Sequence, residues 1–262
     1  MPLEPGDKVL VYIDEKRRFV IILEKNGILG TDKGYIKHGD MIGRDIGEAV
    51  YTSRGFKAYL LKPTISDYLH VFKRVTQVIY PKDSSLMIYL SGIGPGSKVV
   101  EAGVGTGFLT LSLANIVGDN GRVYGYDIKK QNLETARRNL ELAGLDNRVE
   151  LYHADIRSGI HQRNVDAVFL DIPDPWNALE AVYKALKPSA PILVYVPTIN
   201  QVEKTVLAMR RTNCFVAVKA METLVREYIV SEEATRPKTL MIGHTGYIVY
   251  GRKVIDPTCA YQ

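Results

Sequence analysis

One stretch constrains this chain more than any other: Ser97-Lys-Val-Val-Glu-Ala-Gly-Val-Gly-Thr-Gly107. Val99 and Val100 end a short apolar run, Gly103, Gly105 and Gly107 alternate after it, and a helical pattern starts at Phe108. A strand, a glycine turn and a helix open a nucleotide-binding α/β sheet. Glycine allows the sharp turn and leaves no β-carbon between backbone and ligand.

The spacing narrows the ligand. A dinucleotide fingerprint, G-x-G-x-x-G, puts its third glycine at position 108, which is Phe108. Here the third glycine is Gly107, and Glu101 precedes the triplet. Glu-x-Gly-x-Gly-x-Gly is the form of this turn that meets S-adenosylmethionine, a cofactor with no pyrophosphate to cradle. Glu101, Gly103, Val104, Gly105, Thr106, Gly107 and Phe108 are therefore candidate cofactor contacts.

Strands and helices alternate from there. Strands are predicted at 98–102, 122–127, 149–154, 165–171 and 191–196, and helices at 107–117, 130–143, 176–186 and 200–211. Two last strands, about 215–225 and 246–252, have no helix between them and predict an antiparallel edge. Continuous apolar strands alternating with helices give a parallel sheet covered on both faces. The expected fold is α/β: a doubly wound, seven-stranded, mostly parallel sheet. Residues 1–62 read differently, as a small β-barrel-like module of short strands and turns with basic clusters at Lys16, Arg17, Arg18, Arg54, Lys57 and Lys62. Residues 63–96 read as a helical linker, with helices from Ile65 to about Val75 and from Ser84 to Ser91, the second capped by Asp83 or Ser84. The catalytic domain is then 97–262.

Composition serves mainly to exclude. No apolar run reaches the roughly 18–20 residues of a membrane span, and the N-terminus has no signal-peptide pattern, so a cytoplasmic protein is expected. Neither Cys214 nor Cys259 lies in a C-x-x-C pair, so no metal site is expected. Cys214 reads as a buried thiol, Cys259 as free or paired, and a disulfide is not expected. A net charge of +5 permits an RNA partner without requiring one.

Ligands of an open α/β sheet sit beyond the carboxyl ends of its strands. Three of those ends carry Asp127, Asp155 and Asp171. Asp127 falls about 20 residues past the glycines, where an acid reaches ribose hydroxyls. Asp155 is placed to accept from an adenine amino group. Asp171, followed by Ile172-Pro-Asp-Pro175, either anchors the cofactor's ammonium end or acts beside the methyl group. The prolines hold that loop extended, with carbonyls available as acceptors.

Further stretches carry a specific resemblance: Gln77-Val-Ile-Tyr-Pro-Lys-Asp83, Gly92-Ile-Gly-Pro-Gly96, Asp155-Ile156, Arg236-Pro and His244-Thr-Gly-Tyr247. With the glycine turn and the Asp171 loop, they make the chain resemble the tRNA (adenine-N1)-methyltransferases, class I enzymes that modify the T-loop adenine at tRNA position 58 and, in their archaeal branch, position 57. The resemblance covers most of the chain. It implies S-adenosylmethionine as cofactor, tRNA as partner, and a homotetramer. It adds Ile156 to the cofactor contacts, gives Asp171 and Tyr80 catalytic roles, and puts Tyr80, Lys82, Pro173, Arg236 and His244 on the substrate side. Tyr80 and His244 are equally readable as packing residues. Asp127 stands where the family usually has Glu, and Asp174 is an extra acid in the Pro-x-Pro loop. Two alternatives stay open: a class I methyltransferase acting on a protein or small molecule, and a non-catalytic tRNA-binding subunit.

Overall fold

The computed structural model describes residues 2–261. It divides into two compact units, residues 1–72 and 73–262.

The first unit is built from strands β1 (Lys8–Asp14), β2 (Arg17–Ile22), β3 (Ile28–Thr31), β4 (Gly34–Lys37), β5 (Ala49–Tyr51) and β6 (Lys57–Leu61), followed by helix α1 (Ile65–Val71). Four of them form an antiparallel sheet in the order β2-β1-β6-β5, while β3 and β4 pair as a separate hairpin. Strand alternation sends Val9, Val11, Val50, Ala58 and Leu60 into one core with Leu23, Leu29, Ile36 and Met41. The basic run after β1 is largely neutralised. Arg17 pairs with both Asp14 and Asp32, and Arg18 with Glu15. Helix α1 starts at Thr64, whose backbone N–H and hydroxyl donate to Asp67, and stops at Phe72, short of the expected Val75, where the backbone turns extended.

The second unit begins with α2 (Pro81–Ser91), three residues earlier than the sequence suggested. Pro81 interrupts the local helical pattern, which is why the sequence places the start at Ser84. A proline at the first helical position has no N–H to lose and a preset φ, so it starts a helix. The N-cap is therefore Tyr80, not Asp83 or Ser84, and Asp83 is drawn into the first turn and buried. Then follow β7 (Lys98–Ala102), α3 (Phe108–Val117), β8 (Arg122–Asp127), α4 (Lys130–Ala143), β9 (Val149–His153), β10 (Ala167–Leu170), α5 (Leu179–Ala185), β11 (Pro191–Val196), α6 (Ile199–Arg211), β12 (Phe215–Met221), β13 (Tyr228–Val230), β14 (Thr235–Pro237) and β15 (Tyr247–Lys253).

Seven strands make one sheet in the order β12-β15-β11-β10-β7-β8-β9. The order reverses at β7, so ligand space opens beside the turn that follows it. Only β15 runs against its neighbours, pairing antiparallel with β11 and β12. Val100, Ala102, Val168, Leu170, Ile192, Val194 and Val249 form the sheet's share of the core.

Two features of this unit depart from expectation. The strand expected at about 215–225 ends at Met221, and the chain from there to β15 holds a hairpin of β13 and β14 whose short strands carry no clear periodicity. Cys214 and Cys259 form a disulfide. They lie 45 residues apart in sequence, but the tail folds back so that Ala260 N–H donates to the Thr212 carbonyl at 2.9 Å, which brings the two Cα atoms to 4.7 Å. That return is a long-range event, invisible in the local spacing.

Candidate active site

The glycine turn takes the conformation its residues permit. Gly103, Gly105 and Gly107 have φ of +86°, +54° and +85°, in the left-handed region that other residues avoid. Gly103 N–H donates to the Tyr126 carbonyl at 2.9 Å, and Asp171 N–H to the Ala102 carbonyl at 2.8 Å. These bonds join three strand ends at one point.

A cavity of about 230 Å³ opens there, lined by Glu101, Gly103, Val104, Gly105, Thr106, Phe108, Asp127 and Asp171, among others. A second of about 480 Å³ shares Gly103, Asp127 and Asp171 and adds Asp155, Ile156 and Pro173. The predicted cofactor residues are thus brought together, apart from Gly107. That glycine sits at the N-terminus of α3, with its α-carbon turned towards Ala136.

Each carboxylate has its own setting. Asp127 is buried and accepts from Gly105 N–H at 2.9 Å, Lys129 N–H at 2.8 Å and the Asn132 amide at 3.1 and 3.2 Å. It ties the turn to the start of α4. Asp171 is pushed up to about 7, first by burial and then by the Asp127 charge. Glu101 is pushed up to about 8, chiefly by burial, with Asp171 and Asp127 adding to it. Its Oε2 is buried and, among the described residues, has no hydrogen-bond partner; the Thr76 and Thr106 hydroxyls on the same cavity share that condition. The buried Glu101 and the half-buried Asp171, both with raised pKa and set beside polar atoms without partners among the described residues, form a site suited to a cation that also carries hydroxyls and an amine. S-adenosylmethionine, a sulfonium with an ammonium group and a ribose, has that chemistry, and a β-carbon at Gly105 would reach to 2.8 Å from Thr76 Oγ1 in the same cradle.

Asp155 does double duty. It caps the short 3-10 turn at Ile156–Ser158 and grips Arg157 through both carboxylate oxygens at 2.6–2.9 Å. Arg157 also donates to Asp174 at 2.7 Å, bridging the loops after β9 and β10. The extra acid of the Pro-x-Pro loop therefore has a partner. The Arg157 guanidinium holds the Asp155 carboxyl below the usual carboxylate range. The Pro173 carbonyl accepts from the Gln201 amide at 2.8 Å.

Of the residues expected on the substrate side, Pro173 lines the second cavity and the others lie elsewhere. Tyr80 and Lys82 line a third cavity of about 620 Å³ together with Val225, Arg226, Lys238, Leu240 and Met241. Lys82 does not offer its ammonium to that space. Nζ donates to Asp83 at 2.9 Å, to the Thr223 carbonyl at 2.8 Å and to the Thr245 hydroxyl at 2.7 Å. Asp83 is fully buried and also accepts from the Thr245 and Thr223 hydroxyls. Arg236 lies on β14, exposed, with Thr239 as its neighbour. His244 contacts two acceptors, the Glu222 carboxylate at 2.7 Å and the Pro197 carbonyl at 2.8 Å. Only a doubly protonated ring donates to both, and the Glu222 bond, followed by the Pro197 bond, raises its pKa.

The sequence reading missed Asn132, Asn139, Arg157 and Thr76. The asparagines left a signal: they stand seven residues apart on the buried face of α4, among Leu133, Ala136 and Leu140. Asn139 donates to the Thr106 carbonyl at 2.9 Å, from beneath the turn. Among the described residues no group of three or more His, Cys, Asp or Glu is placed to hold a metal, and no helix is long and apolar enough to cross a membrane.

A doubly wound sheet with β15 reversed, a left-handed glycine turn and acids at the next strand ends define a class I methyltransferase. The solved structures agree. A SAM-dependent O-methyltransferase from Thermotoga maritima is 35% identical, with a TM-score of 0.89 over 97% of this chain and 96% of that one. The tRNA (m1A58) methyltransferase TrmI from Aquifex aeolicus is 30% identical, with a TM-score of 0.82 over 98% and 100%. Among curated relatives, the tRNA (adenine(57)-N(1)/adenine(58)-N(1))-methyltransferase TrmI of Methanocaldococcus jannaschii is 35% identical over 94% of this chain and 95% of its own. Residues 55–240 match the family described as the tRNA methyltransferase complex GCD14 subunit, and residues 2–50 match the TrmI-like N-terminal family. The chain belongs to this GCD14/TrmI family of tRNA methyltransferases.

Proposed function

We propose that this protein methylates N1 of adenine in the tRNA T-loop, at position 58 and, as the name of the Methanocaldococcus relative states for that enzyme, position 57 as well. The observation that carries the reading is the half-buried Asp171, which lines both halves of the cofactor cavity and opens the Ile172-Pro-Asp-Pro175 loop. S-adenosylmethionine, when bound, supplies a methyl group made electrophilic by its sulfonium.

The chain's own residues do the rest. Asp127 holds the ribose hydroxyls, Asp155 and Ile156 the adenine end, and the turn from Glu101 to Phe108 the remainder. Adenine N1 has a lone pair and needs no base to free it, but methylation leaves positive charge on the ring. The Asp171 carboxylate, placed by the Ala102 bond, accepts from the exocyclic amino group and stabilises that charge as it develops, which is preorganised electrostatic catalysis. Tyr80 stacks on the extruded base, and Pro173, Arg236 and His244 complete the acceptor side. Lys82 contributes by positioning, through Asp83.

The N-terminal module, residues 1–62, recruits tRNA; residues 63–96 link it to the site, and residues 97–262 are catalytic. The working form is a homotetramer. The exposed apolar side chains of Leu224, Val225, Tyr228, Ile229, Val230, Leu240 and Ile242 on the chain between β12 and β15 support subunit contact. The place of action is the cytoplasm, where tRNA substrates are met.

The test is incubation of unmodified tRNA with labelled S-adenosylmethionine, followed by nucleoside analysis. We expect 1-methyladenosine from the T-loop. Its absence overturns the reading, and an O-methylated product would place the chain with the Thermotoga protein's stated activity instead.

A further inference from the structure

The four-stranded sheet of the N-terminal module has two faces, and only one is spent on the core. Register defines the other. Arg18 of β2 pairs with Tyr12 of β1, Tyr12 with Tyr59 of β6, and Tyr59 with Ala49 of β5. One step along, Lys57 pairs with Tyr51. Residues paired across neighbouring strands share a face, so Tyr12, Tyr59 and Tyr51 form a continuous aromatic row with Lys57 among them.

This row stays open. Tyr51 is 61% exposed and Tyr59 39%. Farther along the same face Leu10 and Val20 are buried, where α1 packs against β2. Cover thus falls on the apolar end and leaves the tyrosine end to solvent.

Charge indicates the partner. The charged residues at regular strand positions of this face are Lys8, Arg18 and Lys57; Arg18 is paired with Glu15, which also accepts from the Tyr12 hydroxyl at 3.1 Å, so an acid meets the Tyr12 end of the row and the cation Lys57 its Tyr51–Tyr59 end. Asp14 enters only past an irregularity in the register, where Arg17 pairs with it. The Lys57 ammonium lies 4.9 Å from the centre of the Tyr59 ring. Flat aromatic rings on a sheet, interleaved with cations, form a platform on which unpaired bases stack while their phosphates are neutralised. A tyrosine row with acids would suit a protein partner better, and an aliphatic one a membrane.

We propose that this sheet face binds unpaired nucleotides of the tRNA substrate other than the adenine being methylated, with Tyr51 and Tyr59 stacking on bases and Lys57 contacting phosphate. The inference rests on the methyltransferase reading and deepens its recruitment step.

The test uses the full chain and an unmodified tRNA transcript. Tyr51→Ala and Tyr59→Ala should each raise the KM for tRNA about tenfold, near the low end of one base's stacking. The KM for S-adenosylmethionine and kcat at saturating tRNA should hold. Tyr59→Phe, which keeps the ring, should restore the KM. Lys57→Ala should lower the slope of log affinity against log salt by about one. An unchanged tRNA KM in both alanine variants overturns the proposal. So does a rise in KM accompanied by altered sedimentation, which would mean that the face covers a second copy of the chain. A wild-type protein that makes no 1-methyladenosine would instead sink the methyltransferase reading itself.

Discussion

Gly103 and Asp171 meet so closely that a β-carbon at position 103 would stand 1.9 Å from the Asp171 carbonyl oxygen. The obstacle is backbone, which a rotamer change cannot relieve, and Gly103 also has φ of +86°. Gly103→Ala should therefore displace the loop that carries Asp171, the proposed catalytic acid. We expect a loss of at least about 2 kcal/mol in unfolding free energy, with cofactor affinity down tenfold or more by calorimetry. Gly94→Ala is the control: a β-carbon there meets nothing within 4 Å, and near wild-type behaviour is expected.

The raised pKa of Asp171 has consequences for both rate and stability. With the carboxyl pushed up to about 7, turnover at low substrate should rise with pH through neutrality as the accepting carboxylate forms. Between the ordinary value of 3.8 and about 7, the folded protein holds a proton that the unfolded chain has released. Stability must then fall as pH rises across that window. Asp171→Asn should flatten its share of the slope in pH-dependent melts, leaving that of Glu101, and lower turnover by about a hundredfold or more.

A cationic cofactor entering beside Glu101 and Asp171, the two acids held above their ordinary range, should draw those carboxyls into their charged forms. Binding near pH 7 would release protons, seen as a dependence of the calorimetric heat on buffer ionisation enthalpy. Buffer-independent heats would show that the acids are already ionised before binding.

Lys82 separates two kinds of lysine. A phosphate contact, once removed, lowers the salt slope of tRNA binding by about one and leaves stability alone. A lysine buried against Asp83 does the reverse. Lys82→Met strands a charge inside the protein, and we expect a loss of about 3 kcal/mol in stability, with the salt slope intact. Thermal melts and salt titrations on the same variant decide between them.

What could be read in advance was what neighbours in sequence enforce. The apolar run ending at Val100, the alternating glycines and the periodic α4 from Lys130 to Ala143, closed by Gly144 with φ of +73°, are local patterns, and they appear as read. Asp127 and Asp171 could be placed because strand ends in this topology have a fixed use. The rest depended on partners far away. Lys82 turns inward because Thr223 and Thr245, about 140 and 160 residues on, supply acceptors beside Asp83. Arg157 is claimed by Asp174 across two loops. Pro81 misled because the same ring that breaks a helix interior starts a helix at its first turn.

The bond between Cys214 and Cys259 makes a closed ring of everything between them, β12, the β13–β14 hairpin, His244 and β15 included. By chain entropy such a closure contributes roughly 4 kcal/mol, so reduction should lower the melting temperature. It also changes what a broken backbone means. A protease that cuts the exposed turn at Glu232 and Glu233 divides the polypeptide without dividing the molecule, and on a gel the pieces should part only after reductant is added. The enzyme can thus be nicked in this turn and keep β15, the reversed strand of the sheet, covalently attached.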